Sequence, residues 1–386
     1  MQHGCLDLPE CVDVLERHPY YSTLHAVCTY MLHSDGAKTG SVGLLQQQGG
    51  GGPPQLAPTG AALACSAVFD GHWDAVAASP GAACPATPPP AASYFLSATQ
   101  GPGLSLHALE CVQEGASPAL RAVGTWALPC AEGATGSALA SAWLGPAQAA
   151  GVRALASLAD GRLWVGTLGR EGSSQAGAAL DQLACWDAHS LRGVPMEVWC
   201  AAPIAHAAAC SSVLWSGGDD GLLKGWDLRA SPGEGSSAPL FTSRAHTAGV
   251  TCIAPLGPGS PLVATGSYDQ VLRLWDCRAM GGEPLAQLTL PGGVWRIKWQ
   301  GEGLLAAACM HGGASVVRYS SSSSSSGEAL SVLASYQGHE AKALTYGVEW
   351  LQSESAEQQG SSQRRQHALA SCAFYSQQVH TWTAEW

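Results

Sequence analysis

Three polar residues in the second half of the sequence have side chains suited to acid–base and electrostatic catalysis: His311, Arg296 and Glu349. A histidine titrates near neutral pH, so His311 could take a proton from water as a general base and later return it to a leaving group. The guanidinium of Arg296 could stabilise a developing oxyanion. Glu349 is the second candidate for the base. We predict these three as catalytic residues. The alternative for His311 is a structural histidine in a turn.

The standard enzyme signatures are absent from the sequence. It contains no G-x-S-x-G elbow, no phosphate-binding loop, no H-E-x-x-H and no paired metal-ligand spacing, and each of these motifs is tied to a particular chemistry. We therefore expect neither a metal nor a cofactor. These motifs and the composition alone indicate a binding protein and specify no reaction.

The elements that must position the three polar residues follow from an internal repeat. Ser216–Asp227 aligns without a gap with Thr265–Asp276, and Trp275 follows Trp226 by 49 positions. This spacing is close to the ~40–45 residues of a WD-type propeller blade. Two further copies are Leu304–Val317 and Leu369–Trp382.

Less regular units precede these copies, so we predict an all-β propeller of about seven four-stranded blades, as one domain over residues 1–386. The units are Val27–Met31, Tyr94–Ala98 with Leu104–His107, and Gly161–Gly166. The chain ends after the third strand of its last unit, so residues 3–9 are predicted to supply the missing strand and close the ring. Trp186-Asp187 is interpreted as part of an outer strand that leads into the next blade.

Two blades each contain a histidine, a hydroxyl residue, a turn aspartate and a tryptophan. We predict that each set forms a buried hydrogen-bonded chain that fixes the strand register, with a structural rather than a catalytic role. The members are His189, Ser216, Asp220 and Trp226 in one blade and His246, Thr265, Asp269 and Trp275 in the next.

A position just before the turn of each blade is predicted to lie on the same face of the propeller as His189 and His246. Asp219, Tyr268, Met310 and Tyr375 occupy it in the ungapped alignment. We predict Asp219, Tyr268 and Tyr375 as substrate-binding residues. A solvated turn explains Asp219 equally well.

Aromatic residues recur in the predicted inner strands. Trp295 and Tyr346 occupy the same place in Val294–Trp299 and Thr345–Trp350, and Trp199 fits a third such segment. If this place faces the channel of the propeller, these residues form an aromatic ring at its mouth. Packing between blades is the alternative.

The composition argues against several classes of protein. Charged residues are 12% of the chain, below the ~25% usual in soluble proteins, yet no run approaches the ~20 apolar residues of a membrane span. The net charge of −11 without Lys/Arg clusters argues against nucleic-acid binding and favours cationic partners. The 14 dispersed cysteines are predicted to be buried, reduced thiols. With no secretory signal in the sequence, we expect a cytoplasmic protein.

Four segments without periodicity are predicted to be solvated loops between strands. They are Gln46–Pro58, Pro80–Ala92, Ser320–Ser326 and Gln352–Gln366.

Several motifs in this order resemble the diphthine methylesterase family, also called diphthine methyltransferase, a WD-repeat family of diphthamide biosynthesis. The matching segments are Ser216–Asp227, Gly292–Trp299, Leu305–Gly312, Tyr346–Trp350 and Leu369–Trp382. The resemblance is dense over residues 186–386 and faint over 1–185.

The resemblance implies hydrolysis of the methyl ester of the diphthine intermediate on elongation factor 2, which yields methanol and a free carboxylate for later amidation. It also implies elongation factor 2 as the protein substrate and other diphthamide enzymes as possible partners. The substrate carries a trimethylammonium group, which aromatic faces hold well, so Trp295, Tyr346 and Trp199 are predicted to bind it. The alternative function is a non-catalytic scaffold that presents a propeller face, since this fold hosts many functions.

Overall fold

The computed structural model describes residues 3–49, 54–74, 93–101, 103–110, 117–129, 137–145, 152–169, 180–204, 212–230, 238–257, 259–279, 281–301, 303–320, 329–340, 342–352 and 366–386. Every regular element within these ranges is a β-strand, apart from turns. The prediction of an all-β fold is therefore confirmed.

The described strands form seven antiparallel sheets, the blades of a propeller, with four strands in each blade and a fifth in blade 1. The innermost strands of blades 1 to 7 are β2 (Cys11–Arg17), β7 (Val68–Trp73), β11 (Ala138–Trp143), β17 (Cys200–Pro203), β21 (Val250–Pro255), β25 (Arg296–Gln300) and β29 (Thr345–Leu351). The second strands are β3 (Leu24–Leu32), β8 (Ser93–Thr99), β12 (Val152–Leu158), β18 (Val213–Gly217), β22 (Leu262–Ser267), β26 (Leu304–Ala308) and β30 (Gln366–Ala373).

The third strands are β4 (Lys38–Gln48), β9 (Gly103–Glu110), β13 (Arg162–Leu168), β19 (Leu223–Asp227), β23 (Val271–Asp276), β27 (Ala314–Tyr319) and β31 (Gln378–Glu385). The outer strands are β5 (Gln55–Pro58) with β6 (Leu63–Ser66), β10 (Ala119–Ala127), β14 (Leu180–Asp187), β20 (Phe241–Ser243), β24 (Ala286–Thr289), β28 (Leu330–Tyr336) and β1 (His3–Asp7). A short hairpin, β15 (Ser190–Leu191) with β16 (Val194–Pro195), stands outside the blades.

The N-terminal strand closes the ring. Strand β1 pairs with β31, so the outer strand of blade 7 comes from the opposite end of the chain. Neighbouring inner strands contact one another in sequence from β2 through β29, and β29 contacts β2 again. The predicted closure by residues 3–9 and the predicted number of blades are confirmed.

Seven apolar clusters hold the blades together, and each lies between two adjacent blades. Trp164, Trp215, Trp350 and Trp382 are among the largest side chains buried in them. Because burial of such a side chain contributes several kcal/mol (about 3–5 on truncation to alanine), the blades are held in fixed positions around the axis.

Both predicted hydrogen-bonded chains are present. In blade 4, Trp226 Nε1 donates to Ser216 Oγ (2.8 Å), and His189 lies 2.7 Å from Ser216 Oγ and 2.8 Å from Asp220 Oδ1. In blade 5, Trp275 Nε1 donates to Thr265 Oγ1 (2.8 Å), which lies 2.9 Å from His246 Nε2.

Blade 5 adds a member that the sequence analysis did not include. Arg273 Nη1 donates to Asp269 Oδ2 (2.8 Å) and lies 2.8 Å from His246 Nδ1. The guanidinium therefore stands between the histidine and the turn aspartate. The interpretation of Trp186-Asp187 as part of an outer strand is also confirmed, because both residues end β14.

The prediction that Gln46–Pro58 is a loop is wrong over most of its length. Gln46–Gln48 end β4 and Gln55–Pro58 form β5, which pairs with it. The Gln47 side chain is buried and exchanges hydrogen bonds with the backbone of Gln352, at 2.7 and 3.0 Å. These bonds satisfy the polar groups of a glutamine-rich segment inside the sheet, so its polarity did not indicate solvent exposure.

The other predicted loops fall mainly outside the described residues. Pro80–Ala92, 321–326 and 353–365 lie outside them, whereas Ser320 follows β27 and Gln366 begins β30. The described cysteines are unpaired, and five are buried, but Cys5 is exposed. The described residues contain no helix that could span a bilayer.

Candidate functional site

The inner strands share an irregularity near their start. A β-bulge interrupts the pairing of five of them with the next strand. A bulged residue leaves the hydrogen-bonded ladder, and this re-aims its side chain. The bulged residues are Asp13, Phe69, Leu139, Thr251 and Tyr346. Trp199 and Trp295 stand at the corresponding place of the other two blades. We call this place the ring position.

All seven ring-position residues line one cavity of about 400 Å³. Each of the seven inner strands contributes lining residues, so the cavity lies on the axis of the propeller. Its lining residues come from positions throughout the sequence, from Asp13 to Tyr346.

Four predicted substrate-binding residues meet at this cavity, and we call them the aromatic cluster: Trp199, Tyr268, Trp295 and Tyr346. The Trp199 ring lies 5.8 Å from that of Trp295 and 6.2 Å from that of Tyr268. Tyr268 lies 5.9 Å from Trp295, on which Tyr346 stacks at 4.8 Å. These centroid separations are those of favourable aromatic contacts. The expected aromatic ring at the channel is therefore present, while its substrate role stays a prediction.

Further aromatic rings continue the series around the cavity. Tyr346 contacts Phe374 at 5.5 Å, Phe374 contacts Tyr30 at 4.5 Å, and Tyr30 contacts Phe69 at 5.1 Å. The Lys38 ammonium lies 5.2 Å from the centre of the Phe69 ring, a separation at which cation and ring attract.

Asp219 contacts the aromatic cluster from outside the cavity lining. It is partly buried and does not line the cavity, and Trp199 Nε1 donates to its Oδ1 at 3.2 Å. A Cβ on Gly249 would approach Asp219 Oδ1 to 2.7 Å and the Tyr268 ring to 3.1 Å, so glycine makes room for both. Asp219 is therefore neither fully solvated nor part of the cavity wall, and its predicted role in substrate binding stays a prediction.

The placement of Tyr375 is corrected by one residue. The turn of blade 7 between β30 and β31 has one residue more than the corresponding turn of blade 5. Phe374 N donates to the Leu344 carbonyl as Tyr268 N donates to that of Gly249, so Phe374 matches Tyr268. Tyr375 is 67% exposed and lies outside the cavity lining.

His311 is not brought to the cavity. It is exposed at the turn between β26 and β27 and does not line the cavity. The hydroxyl residue and tryptophan of the predicted chains correspond in this blade to Ala307 and Val317, so His311 also has no such chain to join. Its position does not support the predicted role of general base.

Glu349 belongs to a buried ionic network instead of the cavity wall. Its carboxylate accepts from the backbone N–H groups of Arg17 (3.1 Å) and Trp350 (2.8 Å) and lies 3.7 Å from Lys298 Nζ. With both oxygens engaged and no place in the lining, it is poorly placed to take a proton from water.

Ion pairs that cross the channel form the floor of the cavity. Arg296 in blade 6 donates to Asp70 in blade 2 at 2.8 Å, and His72 lies 3.1 Å from the same carboxylate. His72 also lies 3.5 Å from Glu16, which pairs with Lys298. The Arg296–Asp70 and Lys298–Glu16 pairs join blades that are not neighbours.

The pKa values of this network follow from its pairing. Burial opposes the ionisation of Asp70, but His72 and Arg296 outweigh it and hold its pKa well below the usual range. Burial likewise disfavours the charged form of His72, yet Asp70 and Glu16 raise its pKa to about 9. Lys298 and His72 lower the pKa of Glu16 to about 2 against its burial. The network is therefore charged at neutral pH.

Asp13 is the functional candidate that sequence reasoning missed. It occupies the ring position of blade 1, is 2% exposed, and receives a hydrogen bond from Trp295. Burial raises its pKa to about 7, although Arg296 opposes this. The sequence contained one signal for it. A valine precedes Asp13, as it precedes Trp199 and Trp295, so the Val12-Asp13 pair could have been aligned with the starts of those inner strands. Among the described residues, no group of side chains is arranged to hold a metal ion.

Known proteins are similar to this chain over part of its length. The WD domain, G-beta repeat family matches residues 237–276. Diphthine methyltransferase of Homo sapiens is 41% identical over 173 residues, 44% of this chain and 34% of the relative. The homologue from Dictyostelium discoideum is 34% identical over 173 residues, 43% of this chain and 44% of the relative. The predicted resemblance is therefore confirmed.

The matched part spans only 33–47% of the diphthine methyltransferases to which the chain is similar. Among solved structures, Chaetomium thermophilum Sqt1 bound to the N-terminus of the ribosomal protein L10 has a TM-score of 0.57 at 16% identity, covering 94% of this chain and 82% of that chain. At this identity the likeness concerns the fold alone.

Proposed function

We propose that this chain acts in diphthamide biosynthesis as a carboxylic ester hydrolase that removes the methyl ester from diphthine methyl ester on elongation factor 2. The observation that carries the proposal is the aromatic cluster at the axial cavity, whose lining also includes Arg296. The similarity to proteins named diphthine methyltransferase supports the choice of substrate.

The aromatic cluster suits the trimethylammonium group of this substrate. A quaternary ammonium has no N–H to donate, so it cannot satisfy hydrogen-bond acceptors and binds instead against ring faces, at about 0.5–2 kcal/mol per ring. Trp295 and Tyr346 stack side by side, and Trp199 and Tyr268 meet them edge-on or tilted. Together they line one wall of the cavity with aromatic surface.

Arg296 suits the chemical step. The methyl ester lies beside the ammonium group in the substrate, so an ammonium against Trp295 brings the ester carbonyl near the following residue, Arg296. Asp70 holds this guanidinium at 2.8 Å and fixes its orientation before substrate arrives. A preorganised cation stabilises the oxyanion of a tetrahedral intermediate more than the neutral carbonyl, which accelerates the reaction. Water is the nucleophile in this scheme.

The protein partner follows from the same proposal. Elongation factor 2 would present its modified side chain to the open end of the cavity, and the net charge of −11 would favour the approach of a cationic surface. We also propose that the chain associates with other enzymes of diphthamide biosynthesis.

The experiment is methanol release from purified, methylated elongation factor 2 by the isolated protein. The proposal expects time-dependent methanol with multiple turnovers, and Arg296→Lys should lower kcat more than it raises KM, since a lysine cannot copy the guanidinium geometry. Methanol no higher than in the control without protein would instead favour the non-catalytic scaffold.

A further inference from the structure

Two side-chain atoms in the wall of the cavity are buried without a hydrogen-bond partner among the described residues: Asp13 Oδ1 and Arg296 Nε. Buried polar atoms are nearly always paired, so each exception calls for an explanation. One atom is an acceptor and the other a donor, and both lie beside Trp295. Both residues line the cavity, so its wall contains one carboxylate oxygen and one guanidinium N–H whose hydrogen-bonding capacity is unused.

The charges around Asp13 leave it without a cation of its own. Arg296, Lys298 and His72 are matched by Asp70, Glu16 and Glu349, through the contacts of the cavity floor. Within the described part of the chain, Asp13 forms no ion pair, and its hydrogen bond comes from the neutral indole of Trp295. Asp13 and Glu197 are thus the carboxyl groups of the cavity lining that are not committed to the network, and Asp13 is the more deeply buried of the two.

We propose that Asp13 is the general base of the ester hydrolysis, an inference that rests on the function proposed above. Its carboxylate lies in the cavity wall next to Trp295, the aromatic residue that would hold the ammonium group. Trp295 interacts with the carboxyl of Asp13, and Oδ1 has no hydrogen-bond partner among the described residues.

Asp13 takes up a proton in the first half of the reaction and returns it to the leaving group in the second. Asp13 Oδ1 takes a proton from a water molecule while the water oxygen forms a bond to the ester carbonyl carbon, and the carbonyl electron pair moves onto its oxygen beside Arg296. Collapse of this intermediate re-forms the carbonyl and breaks the bond to the methoxy oxygen, which receives the proton from Asp13. Methanol and a carboxylic acid result, and the acid loses its proton to solvent.

The proton affinity of Asp13 suits this role. Burial raises its pKa to about 7, with Asp70 adding to the effect and Arg296 opposing it, and a base is most effective when its pKa is near the working pH. A quaternary ammonium in the aromatic cluster would favour the ionised form. The other titratable groups around Asp13 are Tyr30, Tyr268, Tyr346, Cys28 and Cys372.

The test compares Asp13→Asn with the wild-type protein in the methanol assay. Asparagine has the same size and can still accept from Trp295, but it cannot take a proton. We expect kcat to fall by about 100-fold or more with KM unchanged. Asp35→Asn is the matched control, because Asp35 is exposed in the turn between β3 and β4, and it should keep the wild-type rate.

The pH dependence gives a second measurement, and the wild-type profile alone already tests part of the assignment. Wild-type kcat/KM should rise with one-proton dependence through about pH 7, and Asp13→Asn should lose this rise. A wild-type protein that releases methanol while Asp13→Asn matches its kcat would overturn the assignment and leave the function intact. A raised KM with unchanged kcat would also overturn it, because Asp13 would then be a counter-ion. Absence of methanol from the wild type overturns the function itself.

Discussion

The indole of Trp295 stacks on the phenol ring of Tyr346, with centroids 4.8 Å apart and planes inclined by 29°. The two residues belong to adjacent blades and are 51 positions apart in the sequence. They meet because both occupy the ring position, where each blade turns one side chain toward the axis. The contact therefore depends on the closed ring of blades, and it joins Tyr346 to the other members of the aromatic cluster.

Truncation of Trp295 should weaken substrate binding more than turnover. Trp295→Ala removes the ring that contacts Trp199, Tyr268 and Tyr346, so we expect KM to rise by about 5- to 30-fold, the equivalent of the ~1–2 kcal/mol of one cation–ring contact. Steady-state methanol release measures this. Trp295→Phe keeps a ring face but loses the hydrogen bond to Asp13. Compared with Trp295→Ala, it should therefore bring KM back toward the wild-type value more than kcat. Equal KM values for the alanine variant and the wild type would contradict a binding role for this ring.

Replacement of His311 should leave methanol release unchanged. The side chain is exposed and outside the cavity lining, whereas loss of a true general base lowers the rate by ~10² or more. His311→Ala can be compared directly with Asp13→Asn in one assay. A loss of that size in His311→Ala would restore it as the base and require the turn between β26 and β27 to move toward the axis.

Loss of the Asp70 charge should destabilise the propeller. Asp70→Asn would leave the guanidinium of Arg296 and the partly exposed His72 without their shared carboxylate. Removing one partner of the largely buried Arg296–Asp70 pair costs about 3–5 kcal/mol. Urea unfolding measures the change. Asp227→Asn is the surface comparison, because Asp227 pairs with the exposed Arg229 and should shift the unfolding midpoint little. Similar shifts for the two variants would mean that the floor contributes no more than a surface pair.

The hydrogen-bonded chain of blade 5 should matter for stability and not for activity. Thr265→Val keeps the shape but removes the oxygen that accepts from Trp275 and bonds His246, so we expect a loss of about 1–3 kcal/mol in the free energy of unfolding. Thr242→Val, on the exposed side of β20, is the matched control. Methanol release per folded molecule should remain at the wild-type level, since neither threonine lines the cavity.

Acidification should destabilise the fold below about pH 6.5. Burial lowers the pKa of His18, His25 and His339 from 6.5 to about 3. Between these values each of these three imidazoles is protonated in the unfolded chain and neutral in the folded chain, and His107, whose pKa burial lowers to about 4, adds to the effect. The free energy of unfolding therefore decreases as the pH falls. Asp13 acts in the opposite direction, because the folded chain holds its proton up to about pH 7. This single proton is outweighed by those of the buried histidines.

Thermal unfolding as a function of pH checks this sign. The Tm should fall steadily on going from about pH 6.5 to about pH 4, and His339→Asn should show a shallower fall. His33→Asn serves as the control, because His33 is exposed. Parallel curves for His339→Asn and the wild type would show that burial of this imidazole does not govern the acid response.

The repeat made the fold predictable. The spacing of Trp226 and Trp275, together with the histidine, hydroxyl and aspartate residues before them, recurs because each blade must satisfy the same buried polar groups. The aromatic residues Trp199, Trp295 and Tyr346 were likewise predictable as a set, because they follow the same type of apolar residue at the start of an inner strand.

Other features escaped the sequence because they depend on register. An ungapped alignment placed Tyr375 opposite Tyr268, but one additional residue in the turn of blade 7 puts Phe374 there. Gln46–Gln48 lacked an apolar pattern, yet their backbone pairs with β5. A single inserted residue changes which side chain faces the axis, since side chains alternate along a strand.

The sequence by itself determined that this chain is a seven-bladed propeller and that its inner strands carry aromatic rings, because both follow from short segments that repeat along the chain. Only the tertiary structure decided that Asp13 and Arg296 share one wall, that Arg296 reaches Asp70 across the channel, and that His311 stays outside. These relations join residues more than 200 positions apart, and their distances are set by the closure of the ring, which no local segment encodes.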